Sequence, residues 1–132
     1  MRRALVLAFI ALGSTFPASA APRYTAGYAP CLERAGGVTA AMIECMATEF
    51  GVQDRRLNTL YRQALTALPA PRRSALTKAQ RAWLAFKTAE CAFVLDPDGG
   101  TAARIAANDC ALRMTTERAD QLAAVLASVR GR

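Results

Sequence analysis

Three apolar stripes organise the chain. Leu57, Tyr61, Leu65 and Leu68 recur at spacings of four, four and three. Leu76, Ala79, Trp83, Phe86 and Phe93 follow, then Ile105, Leu112, Ala119, Leu122 and Leu126. Each set lines one face of a 3.6-residue period, and no alternating strand pattern occurs. Thr39 is placed to cap the first helix after the Gly36-Gly37 turn, with Val38 and Ile43 at the spacing of a hydrophobic staple. Gly51 is the weak point of that helix, expected to cost about 1 kcal/mol relative to alanine and to mark a bend. Pro69-Ala70-Pro71 ends the first helix and begins the second, because proline suits a first turn but not an interior. Asp96-Pro97-Asp98-Gly99-Gly100 is a turn, and Thr101 is placed to cap the third helix. Short connections make neighbouring helices antiparallel. The expectation is an all-α fold, a small three-helix antiparallel bundle over residues 39–130, preceded by an aperiodic arm over residues 21–38.

The first 20 residues have the pattern of a cleaved export signal. Arg2 and Arg3 precede the apolar run Ala4 to Leu12, and Ala18-Ser19-Ala20 supplies small residues for cleavage. The run is about half the ~20 residues that span a bilayer, and no later segment is long enough to anchor the chain. Cleavage would leave 112 of 132 residues and reduce the formal charge from +7 to +5, since two arginines leave with the signal. A chain of that size makes one domain with a small core. The expected location is periplasmic or secreted.

Export changes the meaning of the four cysteines, Cys31, Cys45, Cys91 and Cys110. Without histidine or a C-x-x-C pair, two disulfides fit an oxidising compartment better than zinc. Cys31–Cys45 would pin the arm to the first helix, and Cys91–Cys110 would close the loop after the second. A crossed pairing of Cys45 with Cys91 is the alternative. Loops of this size contribute about 3 kcal/mol each in the chain-entropy model.

Large polar residues lie along or beside the stripes. Asp54 and Asn58 accompany Leu57 and Tyr61, and Gln80 and Arg81 accompany Trp83. An unpaired buried amide or charge is expensive, so these groups are expected to bond to one another or to nearby backbone, with Arg118 a candidate partner for Asp54. A shared recognition surface is the functional alternative. Trp83 is expected in the core. The absence of histidine removes the usual acid–base residue, and no nucleophile elbow, phosphate-cradling loop or carboxylate pair is present. Asp96 and Asp98 lack the further acidic ligands of a calcium loop. No catalytic residue, cofactor or metal site is expected.

In order and spacing, these features resemble the lysozyme inhibitor LprI-like N-terminal domain family. The resemblance runs from Cys31 to Leu122 and rests on several matching elements. Cys31 with Gly36-Gly37 comes first, then Glu44-Cys45, then Asp54-x-x-Leu57-Asn58-x-x-Tyr61. Ala79-Gln80-Arg81-x-Trp83 and Glu90-Cys91 follow, then Gly99-Gly100-Thr101, Cys110 and Thr116-x-Arg118-x-x-x-Leu122. Lys87-Thr88 departs from the family's frequent Arg-Asp and removes a carboxylate. The resemblance implies an exported, helical, non-enzymatic protein and, for some relatives, inhibition of lysozyme.

Charge qualifies that implication. A net +5 chain gains no long-range attraction to a cationic lysozyme. Inhibition would rest on local geometry, with Asp96, Asp98, Gly99 and Gly100 as the candidate partner-binding loop. Arg55, Arg56, Arg62, Arg72, Arg73 and Arg81 suggest a second role, a structural or stress-related envelope factor attracted to anionic components. An immunity-type protein against a wall-degrading toxin is a third. Nucleic acid is not an expected partner.

Overall fold

The computed structural model describes residues 23–131, so the export signal lies outside the described residues. Among these, all regular structure is helical, in four helices: α1 (Tyr28–Ala35), α2 (Thr39–Ala67), α3 (Ala70–Val94) and α4 (Gly100–Arg130). The bundle therefore has one helix more than the stripes suggest. The extra helix lies inside the stretch expected to be an aperiodic arm, because eight residues give barely two turns of pattern. Gly36 and Gly37 end it with φ of 56° and 82°, left-handed values that glycine adopts without a Cβ penalty.

The long helices α2 and α4 form the principal pair; α1 lies on α2, and α3 packs chiefly on α4. Two apolar clusters fill the seam. Tyr28, Cys45, Met46 and Leu112 form one, and Leu57, Ala119 and Leu122 the other. Four members of the predicted α4 stripe are buried, with Ile105 packed against the first cluster. On α2, Leu57 and Leu68 are buried while Tyr61 and Leu65 are half-buried. Cys31 pairs with Cys45 and Cys91 with Cys110, at Cα separations of 5.8 and 5.6 Å. The first disulfide joins α1 to α2 and the second joins α3 to α4.

Helix α3 is rolled away from its expected orientation. Ala79, Phe86 and Phe93 face solvent, the two phenylalanines at 58% and 84% exposure. The inward stripe is Leu76, Gln80, Trp83, Lys87, Cys91 and Val94. Both stripes satisfy a helical period, so periodicity alone does not choose between them. Cys91 lies on the second, and its bond to Cys110 commits the helix to that face.

The caps also differ from expectation. Helix α2 begins at Thr39 with Val38 as its N-cap residue and no side-chain cap, and Val38 is 60% exposed, so no staple forms. Helix α4 begins at Gly100 with Gly99 as its N-cap residue, which places Thr101 two residues too late to cap it. Pro69 and Pro71 behave as expected at the start of α3.

Gly51 neither breaks nor ends α2, which is one continuous helix of 29 residues. A Cβ built there would meet only the Arg55 Nη1 atom at 3.5 Å, an ordinary contact. Gly51→Ala should therefore stabilise the protein by about 1 kcal/mol, seen as a higher denaturant midpoint with an unchanged m-value.

Candidate functional site

Helix α2 carries a four-residue series: Cys45, Glu49, Gln53, Leu57 and Tyr61. Each step of four turns about 40° around the helix, so Glu49 and Gln53 fall between the buried Cys45 and Leu57 and enter the protein with them. Both are almost fully buried, at 3% and 2% exposure. Among the described residues, no cation is in salt-bridge contact with Glu49. Its carboxylate accepts the Thr25 backbone N–H at 2.8 Å, the Thr25 hydroxyl, and Gln53 Nε2 at 2.7 Å. Burial alone would push its pKa up, but these three donors outweigh it and hold the group below the usual glutamate value.

The network extends outward from Glu49. Gln53 Nε2 also donates to the Arg23 carbonyl, while its Oε1 accepts from Arg56 Nη1 at 3.2 Å. Arg56 in turn pairs with Asp120 of α4 at 2.5 Å. Residues 23–25 are thereby tied to the α2–α4 seam through side chains, alongside the Cys31–Cys45 link to α1. Thr25, Glu49, Gln53, Arg56 and Asp120 were not marked by motif as a group. The one available signal is the uninterrupted four-residue spacing, which puts Glu49 and Gln53 between Cys45 and Leu57.

The motif residues divide between interior and surface. Gln80 is buried on α3 and accepts Arg118 Nε at 2.9 Å, and Arg118 also donates to Gln121. Arg118 is thus the partner of Gln80, not of Asp54, because its position on α4 faces α3. Asp54 is half-buried and accepts Asn58 Nδ2 at 3.0 Å along the exposed edge of α2. Leu57 is in the core, and the half-buried Tyr61 donates to Thr77 Oγ1 at 3.4 Å. Arg81 is exposed on α3.

Trp83 is half-buried at the edge of the Leu57 cluster and does not enter the core. Its ring lies under two cations, with Lys87 Nζ at 5.0 Å and the Arg118 guanidinium at 5.9 Å from the ring centre. Lys87 Nζ also sits 5.4 Å from the Phe50 ring centre and 3.4 Å from Thr115 Oγ1. Burial lowers its pKa, and the Asp54 charge offsets part of that effect. This junction of α2, α3 and α4 holds the helices together with cations over aromatic faces.

The predicted partner-binding loop is an exposed turn between α3 and α4. Asp96 Oδ1 accepts the Asp98 N–H at 3.0 Å and the Asp96 carbonyl accepts the Gly99 N–H at 3.1 Å. A Cβ on Gly99 would lie 2.7 Å from that of Ala103, so this position admits only glycine without a shift. The Asp96 and Asp98 side chains are left on the surface, a few residues beyond the Cys91–Cys110 staple. Elsewhere, two shallow hollows of about 300 and 230 Å³ adjoin along the α1–α2 groove beside Cys31 and Cys45. Among the described residues, no group of three or more Cys, Asp and Glu is placed to hold a metal ion. None of their helices is long and apolar enough to cross a membrane.

These features define a small helical protein stapled by disulfides, with buried polar groups devoted to holding helices together. The family model for Lysozyme inhibitor LprI matches residues 31–122, and the chain belongs to that family of inhibitors. No curated protein and no solved structure gives a significant match.

The lowered pKa of Glu49 fixes a sign for acid sensitivity. Its contribution to stability is full above the unfolded glutamate value and is lost as pH falls through the lower folded value. Glu49→Gln should cost about 1.5–3 kcal/mol at neutral pH and flatten the acid limb of a stability–pH profile measured by urea denaturation.

Proposed function

We propose that this chain is an exported, non-catalytic binding protein that inhibits a lysozyme-type wall hydrolase through the α3–α4 turn. The supporting observation is a segregation of charge along α3. No cation occurs between Lys87 and Arg104, a stretch that contains Glu90, Asp96 and Asp98. Residues 59–81, which include the α2–α3 turn, contain five cations and no acid: Arg62, Arg72, Arg73, Lys78 and Arg81. The two turns lie at opposite ends of a helix about 37 Å long, well beyond a Debye length of about 8 Å at physiological ionic strength. A cationic hydrolase therefore meets a dipolar molecule whose acidic end is attractive despite the positive total. Asp96 and Asp98 lead at that end, on a turn held by its own hydrogen bonds and by the nearby disulfide, so little ordering is needed on binding.

The same segregation favours a second reading for the opposite end. Five cations without a neighbouring acid suit an anionic envelope surface, where each basic group contributes about 1 kcal/mol. Such binding would hold the protein near the wall while leaving the acidic turn free. An envelope factor of this kind, or an immunity-type protein against a wall-degrading toxin, would share the same export and fold.

The two ends are separable by mutation. Asp96→Asn/Asp98→Asn should abolish inhibition in a wall-lysis assay while leaving the thermal midpoint unchanged; full inhibition by that variant would remove the turn from the mechanism. Arg72→Gln/Arg73→Gln should leave inhibition intact and weaken sedimentation with anionic vesicles in low salt.

A further inference from the structure

The outward face of α3 carries a stripe that the fold does not use. Ala75, Ala79, Ala82, Phe86, Ala89 and Phe93 are all exposed and recur at spacings of four, three, four, three and four. This is the repeat of a helix–helix seam. The helix meanwhile presents Gln80 and Lys87 inward and is tied to α4 by the Cys91–Cys110 bond. Its purely apolar stripe is thus the one facing solvent, with Phe93 at 84% exposure.

We propose that this face pairs with the same face of a second copy, as an antiparallel two-fold dimer. The order of residue sizes is the reason for choosing this occupant. With the two-fold axis placed midway between Ala82 and Phe86, Phe86 of each copy meets Ala82 of the other. Phe93 meets Ala75 in the same way, and Ala79 meets Ala89. Every large residue then faces a small one, and each seam layer joins the two types of position as antiparallel helix pairs require. A parallel pair would stack Phe86 on Phe86 and Phe93 on Phe93, leaving the alanine layers unfilled.

Charge permits the antiparallel arrangement. Of the flanking residues, Lys78 is followed on its side of the stripe by Ala85 and Ala92. The two-fold axis sets Lys78 beside Ala92 of the other copy and Ala85 beside Ala85, so the two Lys78 ammonium groups sit about 20 Å apart along the seam. No like charges are brought together there. The exposed parts of the two phenylalanines would remove roughly 600 Å² from water across both copies. The alanines raise the total to the order of 1,000 Å², near the lower edge for a specific interface. The dimer is accordingly reversible at micromolar or higher concentration, and it forms independently of any hydrolase.

Sedimentation equilibrium on the oxidised protein recovered after export tests this. A monomer–dimer equilibrium should appear and should tighten with added salt, which screens the net positive charge. Phe86→Glu should weaken it more than about a hundredfold, since one aromatic contact is lost from each copy, with helicity unchanged because the site is exposed. Ala82→Phe alone should also weaken it, whereas Ala82→Phe/Phe86→Ala should restore it, because the double exchange preserves the large-against-small layers. A protein that stays monomeric throughout would overturn the proposal. So would a dimer indifferent to Phe86→Glu, or one that the double exchange fails to restore. A monomer in which Phe86→Glu abolishes binding to lysozyme would assign the face to the hydrolase instead.

Discussion

The parallel contact between α2 and α4 is the constraint on which the other elements depend, with Met46 meeting Leu112, Arg56 meeting Asp120 and Leu57 meeting Leu122 in the same direction along both helices. It buries the two apolar clusters and supplies the anchor points for everything else. Helix α1 reaches it through Cys31–Cys45, and residues 23–25 reach it through Glu49 and Gln53. Helix α3 reaches it through Cys91–Cys110, Gln80–Arg118 and the cations over Trp83. A chain this small buries a modest fraction of its surface, so covalent and polar links supplement packing that apolar contact alone would leave thin.

The interior polar groups illustrate how such links remain favourable. Glu49 is a buried carboxylate stabilised by neutral donors, an arrangement that avoids desolvating a second ion beside it. Arg56 and Asp120 form the ion pair nearer the surface, and Gln53 connects the two layers. Among the described residues, no buried side-chain nitrogen or oxygen lacks a partner. These side chains are already engaged with one another and with nearby backbone.

Under the proposed function, the separation of charge along α3 lets a chain with a positive total meet a cationic partner at one end. Net charge describes the far field, but the potential near each end follows the local groups once salt screens the rest. An acidic turn at one end and an arginine-rich turn at the other give a single small domain two distinct faces. The Cys91–Cys110 staple places the acidic one on a rigid base.

Much of this protein was legible without coordinates. The leucine series of α2 and α4, the proline pair before α3 and the order of motifs around the cysteines gave helical class, helix breaks and family, because each depends on local periodicity, backbone restriction or identity. Helix α1 escaped because eight residues are too few to establish a period. The Glu49 network escaped because its partners are distant in sequence: Thr25 lies 24 residues from Glu49, and Asp120 lies 64 from Arg56. The roll of α3 was undecidable by pattern, since two stripes on that helix fit the same period. Only the tertiary structure, by bringing Cys91 to Cys110 and Gln80 to Arg118, determined which stripe is buried and which is left in water.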